Sequence, residues 1–203
     1  MKHIILCLGL VTLAAGAGTL EAGEPEDGWM KAIRSGAVTS AWAGAEGGRI
    51  VSAGLDIVRN SGVEGVLTNG TADGRDVMIL DSPDPKYVGP QFFYCNVPDW
   101  LRAVSRIEFV VEYFDAGPGT ITLHYSARES AVNAVKVPIV LAGTGRWRVA
   151  RLPVFDAEFR KKVNGSDFRL NTNRKNFFVR TIAVIPLGEL DKVNVTTHTK
   201  EIP

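Results

Sequence analysis

The sequence predicts an all-β protein, a two-sheet antiparallel β-sandwich of the jelly-roll kind, and three observations carry that expectation. The stretch Ile107 to Tyr125 holds two alternating runs: Ile107, Phe109, Val111 and Tyr113 share one face, and Ile121, Leu123 and Tyr125 share another. Successive side chains on a strand point to opposite faces, so such alternation describes a sheet with one buried side. Short apolar runs then recur along the chain, punctuated by turn chemistry such as Asn69-Gly70, Asp73-Gly74 and Gly143-Thr-Gly145. No amphipathic stretch of helical length separates these runs, which disfavours a parallel α/β fold.

Met1 to Ala17 reads as a secretory signal peptide. Lys2 supplies a positive start, Ile4 to Ala15 an apolar segment, and Ala15-Gly-Ala17 the small residues of a cleavage site. That apolar segment falls short of the roughly 20 residues a membrane span needs, and no later stretch approaches this length. A secreted or periplasmic protein is expected. Removing the leader takes away Lys2 and Cys7, so Cys95 remains as a single cysteine and charge balances at 22 basic and 22 acidic residues. A lone Cys95 between Tyr94 and Asn96 is expected to be a small buried hydrophobe. The neutral total hides an asymmetry: residues 18–100 carry 12 acids against 6 bases, and residues 142–185 carry 10 bases against 3 acids. N-terminal and C-terminal strands that pack together and neutralise one another would account for it.

Residues 18–48 form a flexible or irregular N-terminal segment on this reading, in which Trp29 to Ser35 starts a short helix that the glycines from Gly36 onward keep short. The sandwich then occupies residues 49–185. Its runs are Ile50 to Val58, Gly62 to Thr68, Val77 to Leu80, Gln91 to Val97, Ile107 to Phe114 and Thr120 to Ser126, followed by Val135 to Leu141, Trp147 to Val154, Asp167 to Leu170 and Phe177 to Ile185. Asp115 to Gly119 reads as the turn of a hairpin joining the two central runs. Pro138 lacks an N–H for a ladder, so Val135 to Leu141 is expected at a sheet edge. One short helical turn is expected near residues 155–164, capped by Asp156 and ended by Asn164-Gly165. Residues 186–203 read as a C-terminal tail.

The hairpin VEYFDAGPGTITLHYSA, the run GTGRWRVARLPV and the segment FDAEFRKKVNGSDFRL together resemble galactose-binding-like jelly-roll domains of secreted bacterial carbohydrate-active proteins. The matching residues include Tyr113, Asp115, Tyr125, Trp147, Asp156, Phe159, Asp167, Phe168 and Arg169, and the resemblance spans about Val63 to Val184. It implies a non-catalytic module of the carbohydrate-binding kind. It also implies packing or turn roles for Tyr113, Asp115 and Trp147. Asp167 and Arg169 are expected to anchor a local salt-bridge or hydrogen-bond network. The chain departs from the common arrangement in carrying no attached catalytic module, and fold alone does not supply a site.

No nucleophile elbow, zinc spacing or nucleic-acid motif is present, and no organic cofactor is implied. Glu108 and Glu112 share a strand face, but four residues along a strand is about 13 Å. Glycosidase carboxylates sit about 5–9.5 Å apart, so the two read as solvated strand charges. Glycan binding needs an aromatic platform beside hydroxyl-pairing groups. The candidates are Trp100, Asp99, Asn96, Arg102, Tyr94 and His124, with Pro98 to Arg102 read as a loop. His124 by default is a hydrogen-bonded surface histidine. A structural calcium would fall to Asp81, Asp84 or Asp156 with backbone carbonyls. The expected role is recognition of carbohydrate or another extracellular polymer. A structural or protein-interaction domain is the alternative, and a jelly-roll glycosidase the third.

Overall fold

The computed structural model describes residues 28–58, 65–81, 84, 86, 89–128, 135–172 and 177–188. The leader and most of the tail lie outside these residues. Among the described residues the elements in chain order are α1 (Gly28–Arg34), β1 (Ala41–Glu46), β2 (Arg49–Ala53), β3 (Asp56–Val58), β4 (Val66–Ala72), β5 (Arg75–Asp81), β6 (Gln91–Asn96), α2 (Asp99–Arg102), β7 (Ile107–Phe114), β8 (Pro118–Tyr125), β9 (Val135–Ala142), β10 (Trp147–Val154), β11 (Phe168–Thr172) and β12 (Phe177–Pro186). A seven-stranded sheet runs β10-β7-β12-β1-β2, with β5 joined to β12 and β4 to β5; a five-stranded sheet runs β3-β6-β11-β8-β9. Every strand pair is antiparallel. The expected two-sheet sandwich is the observed architecture.

The main core fills the space between the sheets. Phe109 sits at its centre, its ring centroid 5.0 Å from Phe168 and 5.8 Å from Tyr125. Leu123, Leu170, Ile121, Phe93 and Cys95 from the five-stranded sheet meet Val111, Ile182, Val184 and Met78 from the other. Each fully buried large apolar side chain contributes about 1.5–3 kcal/mol.

Three expectations need correction. The run Ile107 to Tyr125 is not a hairpin: β7 pairs with β10 and β12, whereas β8 pairs with β11 and β9 in the opposite sheet. Residues 115–117 therefore cross the edge of the sandwich. Asp115 fixes the crossing, because its carboxylate accepts hydrogen bonds from Gly143 N (2.8 Å), Thr144 N (3.1 Å) and Thr144 Oγ1 (2.8 Å) and faces Arg148 at 3.3 Å. The link from β9 to β10 crosses between the same sheets, so one buried carboxylate ties the two crossings together. Gly143 is required there: it has φ +73°, and a Cβ would lie 2.8 Å from Pro118 Cδ.

The second correction concerns the segment assigned to residues 18–48. Residues 28–48 contribute α1 and β1, and β1 lies inside the seven-stranded sheet between β12 and β2. Its small residues permit this: Ala41, Ala43 and Ala45 face the core, and a Cβ on Gly44 would lie 2.7 Å from Arg180 O. Helix α1 and the turn after it cover the outer face of the sheet, where Met30, Ile33 and Val38 pack on Val110, Ala183 and Ile185. Strand β7 is consequently buried on both sides, and Glu108 and Glu112 are 5 % and 0 % exposed rather than solvated.

Third, residues 155–164 hold no helical turn. Ala157 and Phe159 are buried and alternate with exposed Asp156 and Arg160, a two-residue period that extended chain satisfies and a helix does not. Lys161 at φ 57° and Asn164 at φ 49° also interrupt any right-handed helix. Asp156 accepts the Tyr125 hydroxyl at 2.8 Å instead of capping. By contrast, β9 with Pro138 is an edge strand as expected, and Trp147 packs with Ala72, Val77, Phe114 and Phe178. The strands of the two charge-biased segments do neighbour one another. Yet the C-terminal arginines pair with the middle of the chain: Arg148 with Asp115, Arg151 with Glu108 and Arg180 with Glu112.

Candidate functional site

The outer face of the five-stranded sheet gathers polar and aromatic side chains from three strands. In β6, Phe93 and Cys95 point to the core, which leaves Phe92, Tyr94 and Asn96 outward. In β11, Phe168 and Leu170 point inward and Arg169 and Asn171 outward; in β8, Ile121 and Leu123 are inward and Thr122 and His124 outward. Register then decides which residues meet. Arg169 lies opposite Tyr94 on one side and His124 on the other, and Asn171 lies between Phe92 and Thr122. Directly opposite residues have Cβ atoms about 4.5–5.5 Å apart, so these form two adjacent rows on one surface.

Arg169 is the centre of this face. Its Nε donates to His124 Nδ1 at 3.0 Å and its Nη1 to the Tyr94 hydroxyl at 3.2 Å. Its guanidinium carbon stands 4.1 Å from the Phe92 ring centroid and 5.6 Å from that of Tyr94. The two rings are 5.8 Å apart and tilted by 36°. Nη2 makes no hydrogen bond among the described residues and is not enclosed. Because Nδ1 of His124 accepts the Arg169 proton, the neutral ring carries its own proton on Nε2. Asn164 Nδ2 reaches the Tyr94 hydroxyl at 3.2 Å from the loop before β11. At the edge of the face, Asn96 Nδ2 donates to Asp56 at 3.3 Å, while Asn96 Oδ1 is buried without a hydrogen-bond partner.

A clasp beside this face holds its register. Asp167, fully buried, accepts Val97 N at 3.1 Å, Lys161 N at 3.0 Å and both Nη atoms of Arg102 at 3.2 and 3.0 Å. The carboxylate joins the end of β6, helix α2 and the start of β11, two residues before Arg169.

The residues singled out in the sequence divide accordingly. Tyr94, His124 and Asn96 lie on the outer face. Arg102 serves the clasp, and it also donates to Phe159 O at 2.8 Å and to Asp99 at 3.2 Å. Trp100 and Asp99 belong to α2, a single helical turn rather than a loop, where Trp100 is 45 % exposed. Asp167 holds the clasp, and Arg169 makes its hydrogen bonds to His124 and Tyr94 on the outer face. His124 is 5 % exposed rather than a surface group. Phe92, Asn171 and Thr122 were not among the sequence candidates; the alternation of Gln91 to Asn96 exposes Phe92, but the pairing register was needed to bring all three together.

Cys95 is fully buried, and burial followed by the nearby Asp56 charge pushes its thiol well above the ordinary value. Asp81 and Asp84 follow along β5 and its loop, and Asp156 follows β10. Among the described residues no group of three or more His, Cys, Asp and Glu side chains comes together. Glu108 is held by Arg151 at 2.9 Å, and Glu112 by Arg34 at 3.1 Å and Arg180 at 3.3 Å. Among the described residues no helix is long and apolar enough to cross a membrane.

Fold and site together define a two-sheet antiparallel β-sandwich with an aromatic and polar platform on its smaller sheet. No family model and no curated protein matches the chain. Among solved structures it is similar to a family 29 carbohydrate binding module from Piromyces equi, at 13 % identity over 72 % of this chain and 91 % of that one, with a TM-score of 0.41. It is also similar to a structure described as "CBM4 structure and function", at 11 % identity over 64 % of this chain and 81 % of that one, with a TM-score of 0.32.

Proposed function

We propose that this is an exported, non-catalytic binding domain that takes a carbohydrate on the outer face of its five-stranded sheet. The observation that carries the reading is the position of Arg169. Its guanidinium is stacked on Phe92, held by His124 and Tyr94, and left with Nη2 open to a ligand. A sugar presents an apolar C–H face and a rim of hydroxyls. The Phe92 ring meets the first requirement, and Arg169, Asn171 and Thr122 supply donors and acceptors for the second. A pre-held guanidinium loses little entropy when it binds, which favours recognition over a floppy surface arginine. The absence of catalysis is supported by Glu108 and Glu112, whose carboxylates lie on the seven-stranded sheet, away from this face, and are engaged by Arg151 of β10, Arg34 of α1 and Arg180 of β12. Export rests on the Met1 to Ala17 leader.

A glycan array with the purified mature chain, followed by calorimetry on any hit, tests the proposal. Arg169→Ala removes a charge-assisted hydrogen bond worth about 1.5–3 kcal/mol, which is roughly 10- to 100-fold in affinity. Phe92→Ala should weaken binding as well, with the melting temperature followed in parallel for both variants. Trp100→Ala reports whether the α2 corner extends the site. Failure to bind any glycan would sink the proposal, and so would affinity unchanged in both Arg169→Ala and Phe92→Ala.

A further inference from the structure

The outer face of the seven-stranded sheet carries a second concentration of chemistry. Glu112, 0 % exposed, lies beneath three arginines: Arg34 at 3.1 Å, Arg180 at 3.3 Å and Arg75 at 3.9 Å. Thr181 Oγ1 completes its surroundings at 3.3 Å. A depression of about 330 Å³ opens beside this cluster, lined by Met30, Lys31, Arg34, Ser35, Glu46 and Arg180. Its volume sits at the lower end of the range for small-molecule sites, about 300–1,000 Å³.

Glu112 does not exhaust the hydrogen-bonding capacity of Arg180. Arg180 meets Glu112 only through Nη1. Its Nε is buried and has no hydrogen-bond partner, and Nη2 has none among the described residues. The Nε–H and Nη2–H bonds of a guanidinium run parallel along one edge, the fork that binds carboxylate, sulfate or phosphate oxygens in pairs. A buried donor left unsatisfied is energetically costly, and a bound oxygen would satisfy it.

We propose that this depression is an oxyanion site, in which the Nε/Nη2 edge of Arg180 takes two oxygens of a carboxylate, sulfate or phosphate group and Lys31 and Arg34 supply the surrounding charge. The site is on the opposite side of the sandwich from Arg169 and does not depend on the carbohydrate reading. Helix α1 forms one wall, so a bound anion would also fasten the N-terminal segment to the sheet.

The mature chain should be titrated with sodium sulfate, and with sodium chloride at matched ionic strength, by thermal melting and calorimetry. Sulfate should give a saturating rise in melting temperature that chloride does not reproduce. Arg180→Gln should weaken sulfate at least 10-fold while Arg34 continues to pair with Glu112. Should Arg180→Gln fail to fold, Lys31→Gln decides, because Lys31 is exposed and outside the Glu112 ion pairs; a roughly 3-fold loss is expected. Arg180→Lys keeps the charge but not the fork, and should resemble Arg180→Gln. Glucuronate in place of sulfate separates the sources: tighter binding than sulfate means an acidic sugar, and equal binding means a free oxyanion. Equal responses to sulfate and chloride, or sulfate affinity unchanged in the folded variants, would overturn the proposal. Retained glycan binding by Arg180→Gln keeps the two faces distinguishable.

Discussion

Asp167→Ala is the sharpest perturbation of the corner that positions the outer face. The substitution removes the acceptor for Val97 N, Lys161 N and the two Nη atoms of Arg102 at one stroke. Breaking a buried ion pair costs about 3–5 kcal/mol, but the Arg102 side chain is 29 % exposed, so water recovers part of that. Arg102 also keeps its bond to Phe159 O. The Val97 N–H is buried and would be orphaned at about 1–3 kcal/mol, whereas Lys161 is exposed and its N–H can hydrate. A net loss of about 4 kcal/mol follows. For a domain of this size, at about 2–4 °C per kcal/mol, the melting temperature should fall by roughly 8–16 °C. Calorimetry reads this directly, and urea unfolding should show a lower midpoint with an unchanged slope. The Arg102→Ala variant and the double variant complete a cycle, in which the double loss should fall short of the sum by about 2 kcal/mol. A fall of under 3 °C, or strict additivity, would refute the clasp.

Asp115 gives a pH prediction. Burial raises its carboxyl, but the hydrogen bonds from Gly143 and Thr144 and the charge of Arg148 outweigh burial and hold it below the ordinary value. A depressed folded value contributes stability that is fully present above the unfolded value of about 4 and lost as pH falls through the folded value. Asp115→Asn should therefore be less stable than the parent at pH 7, with the gap narrowing in acid; a gap constant down to pH 2 contradicts the assignment. Gly143→Ala should cost about 1–3 kcal/mol in urea unfolding, because of its positive φ and the approach of Pro118. A neutral result there means the two crossings are not tightly apposed. Cys95 should resist a thiol reagent at pH 8 in the folded chain and react once unfolded; rapid native labelling would contradict its burial.

Much of the fold was legible in local pattern. The alternation of Ile107 to Phe114, the edge position of Pro138 and the packing role of Trp147 each follow from one strand and its immediate chemistry. The hairpin reading failed because alternation gives a strand its faces and not its partners. Asp115 to Gly117 can turn within one sheet or cross between two, and the choice was made by Gly143 and Thr144, close to thirty residues away. Glu108 and Glu112 were misread as solvated for a related reason: nothing within β7 reveals that α1 and the arginines of three other elements cover its second face. On the outer face, Tyr94 and His124 were singled out as separate residues, Arg169 was read as part of a salt-bridge or hydrogen-bond network with Asp167, and Phe92 was not singled out.

The sequence by itself determined that this chain forms antiparallel strands around one core, because side-chain period and turn residues are local properties. Only the tertiary structure decided which strands are neighbours. Phe92, Tyr94, His124 and Arg169 come from three separate strands, and hydrogen-bonded register sets them side by side.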